Sequence, residues 1–177
     1  MTGTGIYTNL LATRSPVEFG RSIGFLPGGE DEKTGPWVRG IFDNLDYITR
    51  DFVAEKGGRT NHEVKISGSE ELLARGIIDI QAMTFLRGRS IPDQFIIIDE
   101  AQNLTQHEVK TIITRVGKNS KIVLLGDIEQ IDNTRLNSSN NGLVYAIHAF
   151  KGQKLSAHIT LTDTERSPLA ELGARLL

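Results

Sequence analysis

Phe95-Ile96-Ile97-Ile98-Asp99-Glu100-Ala101-Gln102 runs four apolar residues straight into two acids. A strand with one wet face alternates apolar and polar residues. An unbroken apolar run instead fits a parallel strand covered on both faces. Asp99 and Glu100 then fall at its carboxyl end, where open α/β sheets gather functional residues. Thr105-Gln106-His107-Glu108 follows with the spacing of a capping box. The helix it starts carries Val109, Ile112, Ile113 and Val116 on one face, and Gly117 is expected to stop it. Lys121-Ile122-Val123-Leu124-Leu125 is a second buried strand, ending at Gly126-Asp127. Strand, helix, strand in this order predicts a parallel sheet with helices on both faces.

Working outward, Gly142 to Phe150 forms an amphipathic helix through Leu143, Ile147 and Phe150. Ala157 to Leu161 reads as a strand, and Ser167-Pro168 as the start of a last helix. Towards the N-terminus, Ser69 is expected to cap a short helix ending at Gly76, with Glu70 and Glu71 in its first turn. Trp37, Ile41, Leu45, Ile48 and Phe52 recur at helical spacing, and Lys56-Gly57-Gly58-Arg59 breaks that helix. Ile6 to Thr13, around Leu10-Leu11-Ala12, reads as a short buried strand, followed by a loop from Ser15-Pro16 to Gly28-Gly29.

The chain has 177 residues, enough for one domain with a core. At 38% hydrophobic and 24% charged it reads as soluble and globular. Twenty basic against 22 acidic residues leave a net charge of −2, so no global basic surplus points to nucleic acid. The absence of cysteine excludes disulfides and thiolate metal sites and fits a cytoplasmic setting. No apolar run nears the ~20 residues of a membrane span. His62, His107, His148 and His158 are scattered, without metal-ligand spacing.

The chemistry concentrates at the two strand ends. In P-loop hydrolases, the first carboxylate after such a strand holds magnesium, usually through water, and the second orients the attacking water. A hard cation takes oxygen ligands, and water activation needs a proton acceptor, so both positions require acids. The other reading of Asp99-Glu100 is a strand ending in solvated acids. Gly126-Asp127-Ile128-Glu129-Gln130-Ile131-Asp132 repeats the geometry one helix later. If the strands are neighbours, Gln102, Asp127 and Gln130 face one crevice. Superfamily-1 helicases use a similar Gly-Asp-x-x-Gln element to sense a terminal phosphate. The alternative for Gly126-Asp127 is a surface turn.

Taken together, Phe85-Leu86-Arg87-Gly88-Arg89-Ser90, Ile97-Ile98-Asp99-Glu100-Ala101-Gln102-Asn103 and Gly126 to Asp132 resemble the consecutive signatures of PhoH-like ATPases. Ala12-Thr13-Arg14-Ser15-Pro16 is similar to that family's Thr-Arg-Pro segment, with Ser15 inserted or substituted. Gly24-Phe25-Leu26-Pro27-Gly28, Glu32-Lys33 and Ile41-Phe42-Asp43-Asn44-Leu45 also match. Ser138 to Phe150 with Lys151-Gly152, then His158-Ile159-Thr160-Leu161 and Glu165-Arg166-Ser167, look like the subgroup in which a PIN-type nuclease domain precedes the ATPase domain. No acidic nuclease site is visible, so nuclease activity is not carried over.

The resemblance implies a P-loop NTPase-like α/β fold, ATP and Mg2+ as cofactors, and RNA-directed work. It also implies assembly, as a ring of like copies or with a sister ATPase subunit. Asp99 would hold the metal. Glu100, Gln130 and Arg166 would be catalytic, and Gln102, Gly126, Asp127, Arg87 and Arg14 would bind nucleotide. Arg166 either reaches a phosphate as an arginine finger or pairs with Glu165 or Asp163. Arg14, Arg87 and Arg89 either meet phosphate or RNA backbone or are solvated. Trp37 is expected in the core. No Gly-x-x-x-x-Gly-Lys-Ser/Thr, the sequence whose backbone N–H groups and lysine cradle phosphates, occurs in the chain. Residues 1–177 are therefore expected to be a single partial domain without its N-terminal strand, P-loop and helix. Such a chain is an ATPase portion inactive by itself, or a non-catalytic remnant that binds RNA or protein.

Overall fold

The computed structural model describes residues 6–15, 40–48, 68–86, 88–161 and, singly, 167, 169, 172, 173 and 176. Arg87, Arg166, Trp37, Phe52, the Lys56–Arg59 breaker and the loop from Pro16 to Gly29 lie outside them. The chain divides into two compact units, Met1–Ala146 and Ile147–Leu177.

The first unit is built on a parallel four-stranded sheet in the order β2-β1-β3-β4. Its strands are β1 (Asn9–Arg14), β2 (Ile78–Ile80), β3 (Gln94–Asp99) and β4 (Lys121–Leu124). The apolar runs explain the choice of parallel pairing. Leu11, Ile96 and Ile98 are fully enclosed on one face of the sheet, while Ala12, Ile78 and Phe95 are buried on the other. Phe95 meets the edge of Tyr7, with ring centroids 5.4 Å apart, and lies under the Lys121 ammonium.

Helix α1 covers residues 40–48, α2 Gly68–Ala74, α3 Gln106–Ile113 and α4 Gly142–Phe150. The capping box of α3 forms as its sequence predicts. Thr105 Oγ1 accepts from the Glu108 N–H at 3.2 Å, and Glu108 Oε2 accepts from the Thr105 N–H at 2.9 Å. Val109 and Ile112 anchor this helix in the core.

Several local expectations change. Ser69 does not cap α2: the helix begins at Gly68, and the Asp46 carboxylate of α1 accepts the Ser69 N–H at 2.8 Å. An acid from a neighbouring helix thus supplies what a local hydroxyl would have supplied. Helix α3 stops at Ile113, four residues before Gly117. Val116 instead bridges to Ile91, and Gly117 is small because a Cβ there would lie 2.8 Å from the Pro92 backbone. On α1, Ile48 faces solvent although its spacing suggested burial. On α4, Leu143 and Ala146 are buried while Phe150 is half exposed.

In the second unit, residues 157–161 do not form the expected strand and are exposed throughout. A strand exists only through its ladder, and no described strand pairs with this segment. Before it, Ser156 closes the turn after α4 by donating from Oγ to the Phe150 carbonyl at 2.6 Å. Residues 169, 172, 173 and 176 are helical, in the stretch where a last helix was expected.

Candidate functional site

Three neighbouring strands deliver the candidate residues. β1 ends at Arg14, β3 at Asp99 and β4 at Leu124, all at the carboxyl edge of the sheet. Arg14 is the register partner of Asp99, and Ile98 that of Leu124. The pairing continues past the strands: the Leu125 N–H donates to the Ile98 carbonyl and the Ala101 N–H to the Leu125 carbonyl, both at 2.8 Å. The two acidic motifs are therefore side by side, as parallel neighbours require.

Glu100 occupies the left-handed region, φ 54° and ψ 39°, a conformation that costs a non-glycine residue about 1–2 kcal/mol. It is fixed there because its carbonyl accepts the Asn103 N–H, closing the short 3-10 turn Ala101–Asn103. Strained backbone of this kind is found preferentially at functional sites. The Glu100 side chain is held at both oxygens: Arg14 Nη2 donates to Oε1, and Gln102 Nε2 donates to Oε2 at 2.6 Å. Arg14 also lies near Asp99, Nε to Oδ2 3.7 Å. Arg14, proposed from sequence as a phosphate contact, thus sits on the acids in this state. Asp99 keeps 40% of its side chain exposed and Glu100 26%.

Gln102 is fully buried. It gives one N–H to Glu100 and the other to the Gln130 carbonyl at 2.9 Å, while its Oε1 accepts the Asp127 N–H at 3.2 Å. Gly126 makes room for it, since a Cβ there would come within 2.4 Å of Gln102 Oε1. The Asp127 carboxylate accepts from the Glu129 N–H at 2.9 Å and from Gln130 Nε2 at 2.7 Å, shaping an exposed turn. Asp99, Glu100, Gln102, Gly126, Asp127, Gln130 and Arg14 are therefore brought together, and Arg87 and Arg166 lie outside the described residues.

Sequence reasoning passed over Asn103. It is buried, and its Oδ1 accepts the N–H groups of Asp132 and Asn133 at 2.8 and 3.0 Å. The available signal was a polar residue directly after the acids, beside a long irregular loop whose backbone groups need partners.

Magnesium commonly takes one or two carboxylates, with waters and phosphate oxygens completing its shell. Asp99 fits that need: it is an oxygen donor, half exposed, with no short contact to Arg14. Among the described residues no group of three or more His, Cys, Asp or Glu side chains is arranged to hold a metal.

The PhoH-like protein family model matches residues 2–175. The chain belongs to the PhoH-like family. It is 53% identical over 173 residues to Protein PhoH2 of Bacillus subtilis (strain 168), covering 98% of this chain and 37% of that protein. A second similar protein is the PhoH-like protein of the same organism, 36% identical over 168 residues and covering 93% and 47%. Protein PhoH2 of Thermobispora bispora is 39% identical over 158 residues, covering 89% and 33%. The chain thus spans a third to a half of the length of these PhoH relatives. No helix among its described residues is long and apolar enough to cross a membrane.

Proposed function

We propose that this chain is the part of an ATP-hydrolysing PhoH-like protein that supplies the magnesium-holding and water-orienting acids, working in the cytoplasm on RNA. One observation carries the proposal. The carboxyl ends of β3 and β4 are neighbours, and their acids and amides form one connected cluster. The resemblance of the Asp99–Asn103 and Gly126–Asp132 motifs to those of PhoH-like ATPases supports ATP as the nucleotide and RNA as the target.

In this reading Asp99 would hold the cation. When bound, magnesium neutralises phosphate charge and favours displacement at the terminal phosphoryl group. Glu100 accepts a hydrogen bond from the attacking water and takes its proton, which requires one of its oxygens to leave Arg14 or Gln102. The Arg14 guanidinium, once freed, is placed to face phosphate oxygens. Gln130, on its exposed turn, reports the state of the terminal phosphate.

The chain contains no phosphate-loop sequence, so the 177 residues alone are expected to bind Mg·ATP weakly and not to turn it over. Calorimetric titration with Mg·ATP tests this: saturable binding that Asp99→Asn weakens supports the proposal. No saturable binding, or binding indifferent to Asp99→Asn, overturns it. In a longer protein containing this chain and a phosphate loop, turnover is expected to be lost with Glu100→Gln.

A further inference from the structure

A glutamine beside two acids in a nucleotide site invites the role of a ligand contact. The geometry of Gln102 excludes it in this state. Its side chain is fully buried, and each polar atom already has a protein partner. The partners come from different strand ends. Glu100 follows β3; Asp127 and Gln130 follow β4. Through Glu100 the network continues to Arg14 at the end of β1. A polar relay therefore crosses three adjacent strand tips, from Arg14 through Glu100 and Gln102 to the loop after β4.

We propose that Gln102 is a positioning residue that locks Glu100 to the Asp127–Gln130 loop, so that acid and loop shift together. Its place in hydrolysis rests on the ATP reading above; the mechanical coupling does not. The side-chain chemistry is specific. The task needs two N–H donors and one acceptor at the end of a two-methylene stem. Glutamate offers only acceptors when ionised, methionine no donor, and asparagine is one methylene short. The neighbouring Gly126 leaves the space that Gln102 Oε1 fills, so the position is built around an amide rather than tolerating one.

Amide hydrogen exchange on the 177-residue chain, resolved by NMR, tests the coupling. Four proteins are compared: wild type, Glu100→Ala, Gln102→Glu and the double variant. Gln102→Glu keeps the volume and the acceptor for the Asp127 N–H and, when ionised, removes both donors. Glu100→Ala is expected to speed exchange of the 127–133 amides about 10-fold, the factor matching one hydrogen bond of ordinary net strength. In the Gln102→Glu background, Glu100→Ala should add nothing to that loop. An equal acceleration in both backgrounds, or none in the wild-type background, overturns the proposal.

The Gln102 side-chain amide protons give a second signature. They should be protected from exchange in the wild-type chain, and one should shift on Glu100→Ala. Exchange at the rate of a free amide would overturn the assignment even if Gln102→Glu failed to fold. Neither readout uses nucleotide, so a failed Mg·ATP titration sinks the proposed function and leaves this coupling to be judged alone.

Discussion

Gly126→Ala adds one carbon at the point where the two strand-end motifs touch. Gly126 is not among the glycines with positive φ, so alanine meets no backbone penalty there. The obstacle is space. The new Cβ would lie 2.4 Å from Gln102 Oε1, 3.0 Å from Leu143 Cδ2 and 3.1 Å from the Gln102 backbone nitrogen. Two relaxations are open. If Gln102 swings away, it gives up one hydrogen bond to a carboxylate and two neutral ones, together about 2.5–6 kcal/mol. If Gln102 stays, the backbone and Leu143 shift at the usual cost of overpacking, about 1–3 kcal/mol. The cheaper route governs, and the stiffer unfolded chain returns about 0.4–1 kcal/mol.

A net destabilisation of about 1–2 kcal/mol follows for Gly126→Ala. In urea this lowers the unfolding midpoint by about 0.5–1 M with an unchanged slope. Gly76→Ala is the matched control. Gly76 has φ +65° and nothing within 4 Å of a built Cβ, so alanine there costs about 1–2 kcal/mol through its backbone alone. The two variants should lose similar stability, but only Gly126→Ala should loosen the Asp127 amide in hydrogen exchange. A Gly126→Ala chain at least as stable as wild type would refute the close approach of Gly126 to Gln102.

Thr105→Ala removes one half of the capping box and is expected to lower stability by about 1 kcal/mol in urea unfolding, with Thr105→Ala/Glu108→Ala costing less than the sum of the singles. Asn141 is fully buried, accepts the Val144 N–H at 2.9 Å and donates to the Asn137 carbonyl at 2.9 Å; Asn141→Ala should cost about 1–2 kcal/mol, read as a fall in the calorimetric midpoint. Arg14→Ala frees the acids from the guanidinium that meets both, so Mn2+ binding followed by electron paramagnetic resonance should tighten a few-fold; weaker binding would mean that Arg14 holds the acids in the arrangement the metal needs. Leu125, Ile128, Tyr145 and Phe150 are exposed in or beside the sheet's last strand and α4, and Leu155, Ile159 and Leu161 in the tail. Sedimentation velocity should therefore show concentration-dependent self-association, whereas a monomer at every concentration would count against it.

The parts of the fold readable in the sequence are those that local chemistry dictates. Apolar runs marked both strands, so β3 and β4 could be placed from Phe95–Ile98 and Lys121–Leu125, but only β3 is buried on both faces. β4 ends at Leu124, lies at the end of the described sheet and is at most part-buried, because no described strand covers its outer side. The Thr105–Glu108 box placed the start of α3 for a similar reason. Pairing order is a long-range property, and nothing local in Asn9–Arg14 announces that this strand lies between β2 and β3. The segment 157–161 shows the converse error, because its side chains favour a strand but pairing decides whether one forms. Asp46 on the Ser69 N–H was likewise beyond reach, since the cap comes from another helix.

At the site, residue type was legible while direction was not. Asp99, Glu100 and Gln102 follow one another along the chain and look alike as candidate ligands. The 3-10 turn after Glu100 separates them, leaving the acids part-exposed at the sheet edge and sending Gln102 inward. That division has a physical basis. A carboxylate buried without a cation is costly, so the acids must stay near water or Arg14. A neutral amide can be enclosed once each donor and acceptor is met, and the loop after β4 supplies those partners. The acids can therefore exchange partners when a ligand arrives, while the amide beneath them stays fixed. A site divided this way combines adaptable chemistry at its surface with a rigid support two residues further along the chain.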